Sequence, residues 1–176
     1  MTFLILWCII YTERKKEVDT MMKIYFDMDG TVYDLYGITN WLELLTDEKT
    51  EAFTIGKPLV NIKKLNQIAS LLVDNGVDFG IITWLPKNAT NEYEAKCAEV
   101  KREWKNQYMP FVNEFYAVPY GTPKHKVPAH KAKTMVIFDD NAEIRKEWQT
   151  KTQRVAFNVG NIVEELEKIY CQINNA

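Results

Sequence analysis

Residues 23–34 read KIYFDMDGTVYD: a short apolar run, Ile24 to Phe26, leads straight into Asp27 and Asp29, one residue apart and followed by Gly30 and Thr31. An apolar run of this length, closed by a turn signal, fits a strand buried on both faces. Two carboxylates at its end are costly to place unless they serve a site. Open parallel sheets bind ligands beyond the carboxyl ends of their strands, which puts Asp27 and Asp29 at the functional rim. Residues 134–141, TMVIFDDN, repeat the design with Asp139 and Asp140. If the two strands are neighbours, up to four carboxylates converge. Two such charges about 4 Å apart repel by roughly 4 kcal/mol at an effective dielectric of 20, so the cluster needs a cation or raised pKa values. A hard divalent ion such as Mg²⁺ suits an all-oxygen donor set. Either pair alone also fits a plain strand-to-turn junction, since Asp-Gly favours turns and Asp caps helix starts. Two pairs, each ending an apolar strand, argue against that reading.

Outward from this segment, apolar runs alternate with amphipathic stretches, the pattern of repeated βα units. Five strands are predicted, at residues 24–27, 77–83, 114–118, 134–139 and 154–158. Ile62, Leu65, Ile68, Ala69, Leu72 and Val73 follow the spacing of one helical face, and Gly76 suits the left-handed residue beyond its end. A second helix can begin after Thr90, with Glu92 and Glu94 in its first turn and Tyr93, Cys97, Val100, Trp104 and Tyr108 along one side. Ile162, Val163, Leu166, Ile169, Tyr170 and Ile173 give a closing helix of the same kind. The fold class is therefore α/β, a Rossmann-like, mostly parallel five-stranded sheet with helices on both faces. Residues 22–176 are expected to form one domain.

A chain of 176 residues with 47% hydrophobic and 26% charged side chains is balanced for a single packed domain. Its net charge of -2 removes the broad positive field that non-specific binding to duplex nucleic acid needs. Cys8, Cys97 and Cys171 are far apart and odd in number, so free thiols in a reducing, cytoplasmic compartment are expected. With His125 and His130 as the only histidines, catalysis falls mainly to carboxylates. Residues 3–11, FLILWCIIY, are too short an apolar run to span a bilayer, which takes about 20 residues, and they lack the flanks of a secretory signal. Stable membrane insertion is not expected. This run is either an extra strand or membrane-touching anchor, or an upstream extension of a frame whose working start is Met21 or Met22. The extension is preferred, because a strand beginning at Lys23 is complete without anything before it.

The motifs resemble those of the haloacid dehalogenase-like (HAD) superfamily of phosphohydrolases over nearly everything after Met21. DMDGT, Asp27 to Thr31, matches the family's D-x-D-G-T string, Thr83 at the end of FGIIT matches the second motif, and Asp139 and Asp140 match the acidic fourth. The third motif is a single lysine; Lys124 is chosen, with Lys126 next, while Lys131 and Lys133 lie close to the following strand.

The resemblance implies that Asp27 attacks phosphorus to form an aspartyl-phosphate, and that Asp29 protonates the leaving group and then activates water. It implies one Mg²⁺, held by the Asp27 carboxylate, the Asp29 main-chain carbonyl and an acidic-motif carboxylate, with Asp139 favoured and Asp140 next, as a ligand or as a partner behind it. Thr83 and Lys124 would bind the phosphoryl group. The resemblance also implies a cap insertion after the first motif, here a small helical one at residues 32–58 and too short for a large lid; Tyr33, Tyr36, Trp41 and Trp84 lie near the motifs, where aromatic rings could stack a nucleobase or simply join the insertion to the core. In these respects the chain is similar to the cytosolic deoxyribonucleotidase branch and to small HAD proteins of bacteria and phages. The expected activity is phosphomonoester hydrolysis of a small molecule such as a nucleoside monophosphate. A phosphatase of nucleic-acid ends or phosphoprotein, and a non-catalytic HAD-like binding protein, are the alternatives.

Overall fold

The structure, a computed structural model, describes residues 22–128, 132–152 and 154–175; the expectations for residues 1–21, Cys8, His130 and Lys131 lie outside the described residues. Five strands, β1 (Met22–Phe26), β2 (Val77–Trp84), β3 (Glu114–Val118), β4 (Thr134–Phe138) and β5 (Val155–Phe157), form one sheet in the order β3-β2-β1-β4-β5. Every pairing is parallel, so the sheet is wholly rather than mostly parallel. Among the described residues five α-helices accompany it: α1 (Trp41–Thr46), α2 (Ile62–Asp74), α3 (Asn91–Tyr108), α4 (Ala142–Thr152) and α5 (Ile162–Asn174).

Alternation along β1 divides the core. Ile24 and Phe26 join the larger cluster, with Leu65 and Leu72 of α2, Cys97 and Trp104 of α3 and Leu166 of α5. Tyr25 points the other way, with Ile82, Ile137 and Trp148 of α4. Helices thus cover both faces. Phe26 stacks between Phe79 and Phe138 at centroid distances of 6.1 and 5.4 Å, and Phe138 stacks on Phe157 at 5.3 Å, so one aromatic row crosses four strands. Each fully buried ring of this kind contributes about 1.5–3 kcal/mol.

Local chemistry sets the helix ends. The Asn61 side chain accepts from Lys64 N at 3.1 Å to start α2, and Gly76, at φ +79°, turns the chain from its end into β2. Thr90 Oγ1 accepts from Tyr93 N at 3.3 Å to start α3. The α4 helix, unmarked in the sequence reading, carries only Ile144 and Trp148 as buried residues.

The insertion leaves and returns beside the core, where Tyr33 and Pro58 form an antiparallel bridge. Tyr33 OH donates to Ala52 O at 2.8 Å and accepts from Gly56 N at 2.8 Å, holding the loop against the core. Farther out, Glu48, at φ +54°, accepts from Thr90 N at 2.7 Å and from Thr90 Oγ1 at 2.8 Å. Among the described residues no helix is long and apolar enough to cross a membrane.

Candidate active site

The strand order makes the site. From β1 the chain runs outward to β2 and β3, then crosses back to β4 on the other side of β1, so the switch point lies between β1 and β4. Phe26 and Phe138 are register partners, and Asp27 N donates to Phe138 O at 2.8 Å. Asp27 and Asp139 therefore emerge side by side at the carboxyl ends of adjacent strands.

The loop after β1 is shaped to bring the two acidic segments together. Met28 O accepts from the N–H groups of Thr31, Val32 and Tyr33, which folds residues 28–33 into a tight turn. Gly30 has φ +76°, and a Cβ there would lie 2.6 Å from the Tyr36 ring and 2.7 Å from Asp140 Oδ2, so only glycine fits. Thr31 Oγ1 accepts from Asp140 N at 3.2 Å, tying the first acidic segment to the second. Arg145 Nη1 donates to the main-chain carbonyls of Asp139 and Asp140, both at 2.7 Å.

Lys124, from the short helical turn Lys124–Lys126, is 2% exposed and lies between two of these acids. Its Nζ is 2.7 Å from Asp27 Oδ1 and 2.8 Å from Asp139 Oδ2. Burial pulls against the ammonium, but Asp27 and Asp139 outweigh it and hold Lys124 above the ordinary lysine range. Burial, with the Asp27 charge adding to it, pushes the Asp139 carboxyl up to about 6. Asp140 is shifted upward for the same two reasons. Asp29 is raised by burial and by Asp27 in spite of an opposing cation, Lys101.

Asp27, Asp139 and Asp140 each offer an oxygen within 4.8 Å of the others. Three oxygen donors with crowded charge could hold a hard divalent cation. Both oxygens of Asp139 already have protein partners, Lys124 on Oδ2 and Asn141 N on Oδ1 at 2.9 Å. The Asp29 side chain is outside this group.

Above the acids lies a cavity of about 350 Å³, within the range of small-molecule sites. Asp27, Asp29, Lys124, Asp139 and Asp140 line it, and so do Tyr36, Trp41 and Trp84. Tyr36 and Trp41 meet edge to face at 5.2 Å. Opposite them Trp84 packs on Tyr120 at 4.9 Å, donates Nε1–H to Thr122 O at 2.9 Å and lies 5.2 Å from the Lys124 ammonium. Thr83 behaves differently: it is fully buried and does not line the cavity. Lys126 is not among the lining residues either.

Three neighbours escaped the sequence reading. Tyr120 and Lys87 stand at the mouth, with Lys87 Nζ 5.6 Å from the Tyr120 ring centre. Lys101 is 0% exposed on α3 and bonds to Asp29 Oδ2 at 2.5 Å. The signal for it was the spacing 93, 97, 101, 104, 108, which puts position 101 on the buried stripe in place of Val100.

No family model matches the chain, and neither does any curated protein.

Proposed function

We propose that the protein is a Mg²⁺-dependent phosphomonoesterase of the HAD type, acting through an aspartyl-phosphate on a small phosphorylated molecule such as a nucleoside monophosphate. The observation that carries this reading is the meeting of Asp27, Asp139 and Asp140 around Lys124 at the switch point of the sheet, beneath a cavity with aromatic walls.

Asp27 is the nucleophile. Lys124 engages its Oδ1, which leaves Oδ2 for attack on phosphorus. As the Asp27–phosphorus bond forms, the ester P–O bond breaks and the leaving oxygen takes a proton from Asp29. Water then attacks the aspartyl-phosphate and gives a proton back to Asp29. Phosphate leaves, and the Asp27 carboxylate is restored. The upward shift of Asp29 supports an acid that holds its proton until it is needed. Lys124 keeps a positive charge among the acids, which lets a phosphate dianion approach. A Mg²⁺ ion held by Asp27 and Asp140, with Asp139 beside them, would neutralise charge on the phosphoryl oxygens. Asp140 is the freer of the last two, since both Asp139 oxygens are bonded to protein.

Tyr36, Trp41, Trp84 and Tyr120 suit a flat, partly apolar leaving group such as a nucleoside. Free thiols at Cys97 and Cys171 fit a cytoplasmic setting. The test is a metal-dependent screen of nucleoside monophosphates, sugar phosphates, phosphopeptides and 5′- or 3′-phosphorylated oligonucleotides. Turnover of a nucleoside monophosphate that stops with EDTA and returns with Mg²⁺ is expected. Selective turnover of the oligonucleotides or phosphopeptides would replace the small-molecule substrate, and no turnover of any ester would end the enzymatic reading.

A further inference from the structure

Lys101 is fully enclosed, a rare state for a lysine. Its Nζ has three oxygen partners: Asp29 Oδ2 at 2.5 Å, Thr83 Oγ1 at 2.9 Å and Trp84 O at 2.9 Å. Three is the full donor complement of an ammonium. Phe53, from the insertion, places its ring centre 4.6 Å from Nζ and covers another side. Two of the partners, Thr83 and Trp84, belong to the end of β2, and the third follows β1 by three residues. The lysine thus bridges two strand ends from a helix that packs over them.

Stability is a poor reason for such a group. Well-packed apolar residues of similar volume usually serve a core as well as a buried ion pair does, or better. The arrangement instead constrains one side chain. Asp29 lines the cavity, its Oδ2 is held by Lys101, and its Oδ1 is buried with no hydrogen-bond partner. Anchoring one oxygen fixes the plane of the carboxyl at the cavity wall. Lys101 does not line the cavity, so it acts through Asp29.

We propose that Lys101 is a positioning residue: seated on Thr83 Oγ1 and Trp84 O, it fixes the Asp29 carboxyl at the cavity wall for proton transfer to the leaving oxygen of the phosphoester. Thr83 then serves the reaction by seating Lys101. This role rests on the phosphatase reading above.

The experiment compares wild type, Lys101→Met, Asp29→Asn and the double variant, each with Mg²⁺, on a primary alkyl phosphate and on p-nitrophenyl phosphate. An alkoxide must be protonated to leave, whereas p-nitrophenolate leaves without help. For Lys101→Met, kcat/KM on the alkyl ester should fall about 100-fold, the scale of a catalytic group displaced by about 1 Å. On the aryl ester it should fall less than about tenfold, because protonation matters less there. The alkyl loss should lie in kcat, with KM changed by under about threefold, because no substrate contact is removed. In the Asp29→Asn background, Lys101→Met should cost less than about twofold on the aryl ester. Lys101→Gln, which keeps a donor, serves if the Met variant does not fold. Equal losses on the two esters, or a loss that adds in full to that of Asp29→Asn, would overturn the role of Lys101 and leave the phosphatase reading intact. Failure of both the Met and Gln variants to fold would make the lysine structural and also overturn the role. A folded wild type inert toward both esters would sink the phosphatase reading and the role with it.

Discussion

Replacing Lys124 with methionine keeps most of the length of the side chain and removes the charge between Asp27 and Asp139. In the wild type the ammonium lies 2.7 Å from one carboxylate and 2.8 Å from the other, at 2% exposure. Removing one partner of a buried ion pair typically costs about 3–5 kcal/mol. The repulsion left behind sets a similar scale: two carboxylates with oxygens within 4.8 Å of one another repel by at least about 3.5 kcal/mol at an effective dielectric of 20. Protonating one of them relieves most of this. The Asp139 carboxyl stands at about 6 with the lysine present, raised from the ordinary value of 3.8, and must rise further without it. A carboxyl whose folded pKa is raised favours the folded state while protonated, and that stability is lost as pH rises through the folded value. The deficit of Lys124→Met relative to wild type should therefore be about 3–5 kcal/mol at pH 8. By pH 5 it should shrink to about half, because Asp139 is then protonated in the folded variant. Urea unfolding at the two pH values in EDTA measures both numbers. Mg²⁺ at about 100 times its dissociation constant should return about 2.7 kcal/mol at pH 8. A deficit equal at both pH values, or larger at pH 5, would falsify the account of Lys124 as the cation that neutralises this pair.

Asp27→Asn should remove at least about 1,000-fold of the activity toward p-nitrophenyl phosphate, the amide being no nucleophile, with circular dichroism unchanged; retained activity would take Asp27 out of its role. Glu48→Ala breaks two exposed hydrogen bonds to Thr90 and should lower stability by about 1 kcal/mol. Glu48→Gly should lose less, because glycine accepts the φ of +54° that strains other residues. Thermal unfolding of the pair tests this, and a glycine variant less stable than the alanine one would show that the backbone there carries no strain.

The sheet was readable because its strands are short aliphatic runs with sharp ends. Each observed strand lies within two residues of its expected limits at either end, and Gly76 marks the turn into β2 as its left-handed preference suggested. The placing of Asp27 beside Asp139 followed from two acid pairs after two buried strands, once β1 and β4 are neighbours. What the sequence hid has physical causes. Helix α4 has a polar composition with only Ile144 and Trp148 inward, too narrow a stripe to stand out by periodicity. Lys101 was passed over because a lysine on an apolar stripe reads as solvent-facing, and only Asp29 and Thr83, distant in sequence, reveal why it is inside. Thr83, a strand-end hydroxyl expected at the phosphate, is buried and accepts from Lys101 Nζ at 2.9 Å, a partner that strand periodicity does not reveal. Tyr120 follows β3 in a loop whose return to the mouth depends on how residues 119–123 fold, which periodicity does not address.

One helix joins features that lie far apart in sequence. Thr90, at the start of α3, is gripped by Glu48 of the insertion, and Lys101, three turns along, grips Asp29. About 16 Å of rigid rod separates the two handholds. A force on the outer loop would travel down that shaft to the carboxyl at the bottom of the cleft. The insertion and the carboxyl of Asp29 thereby share one support, so a shift of this helix along its axis would carry the partners of both together.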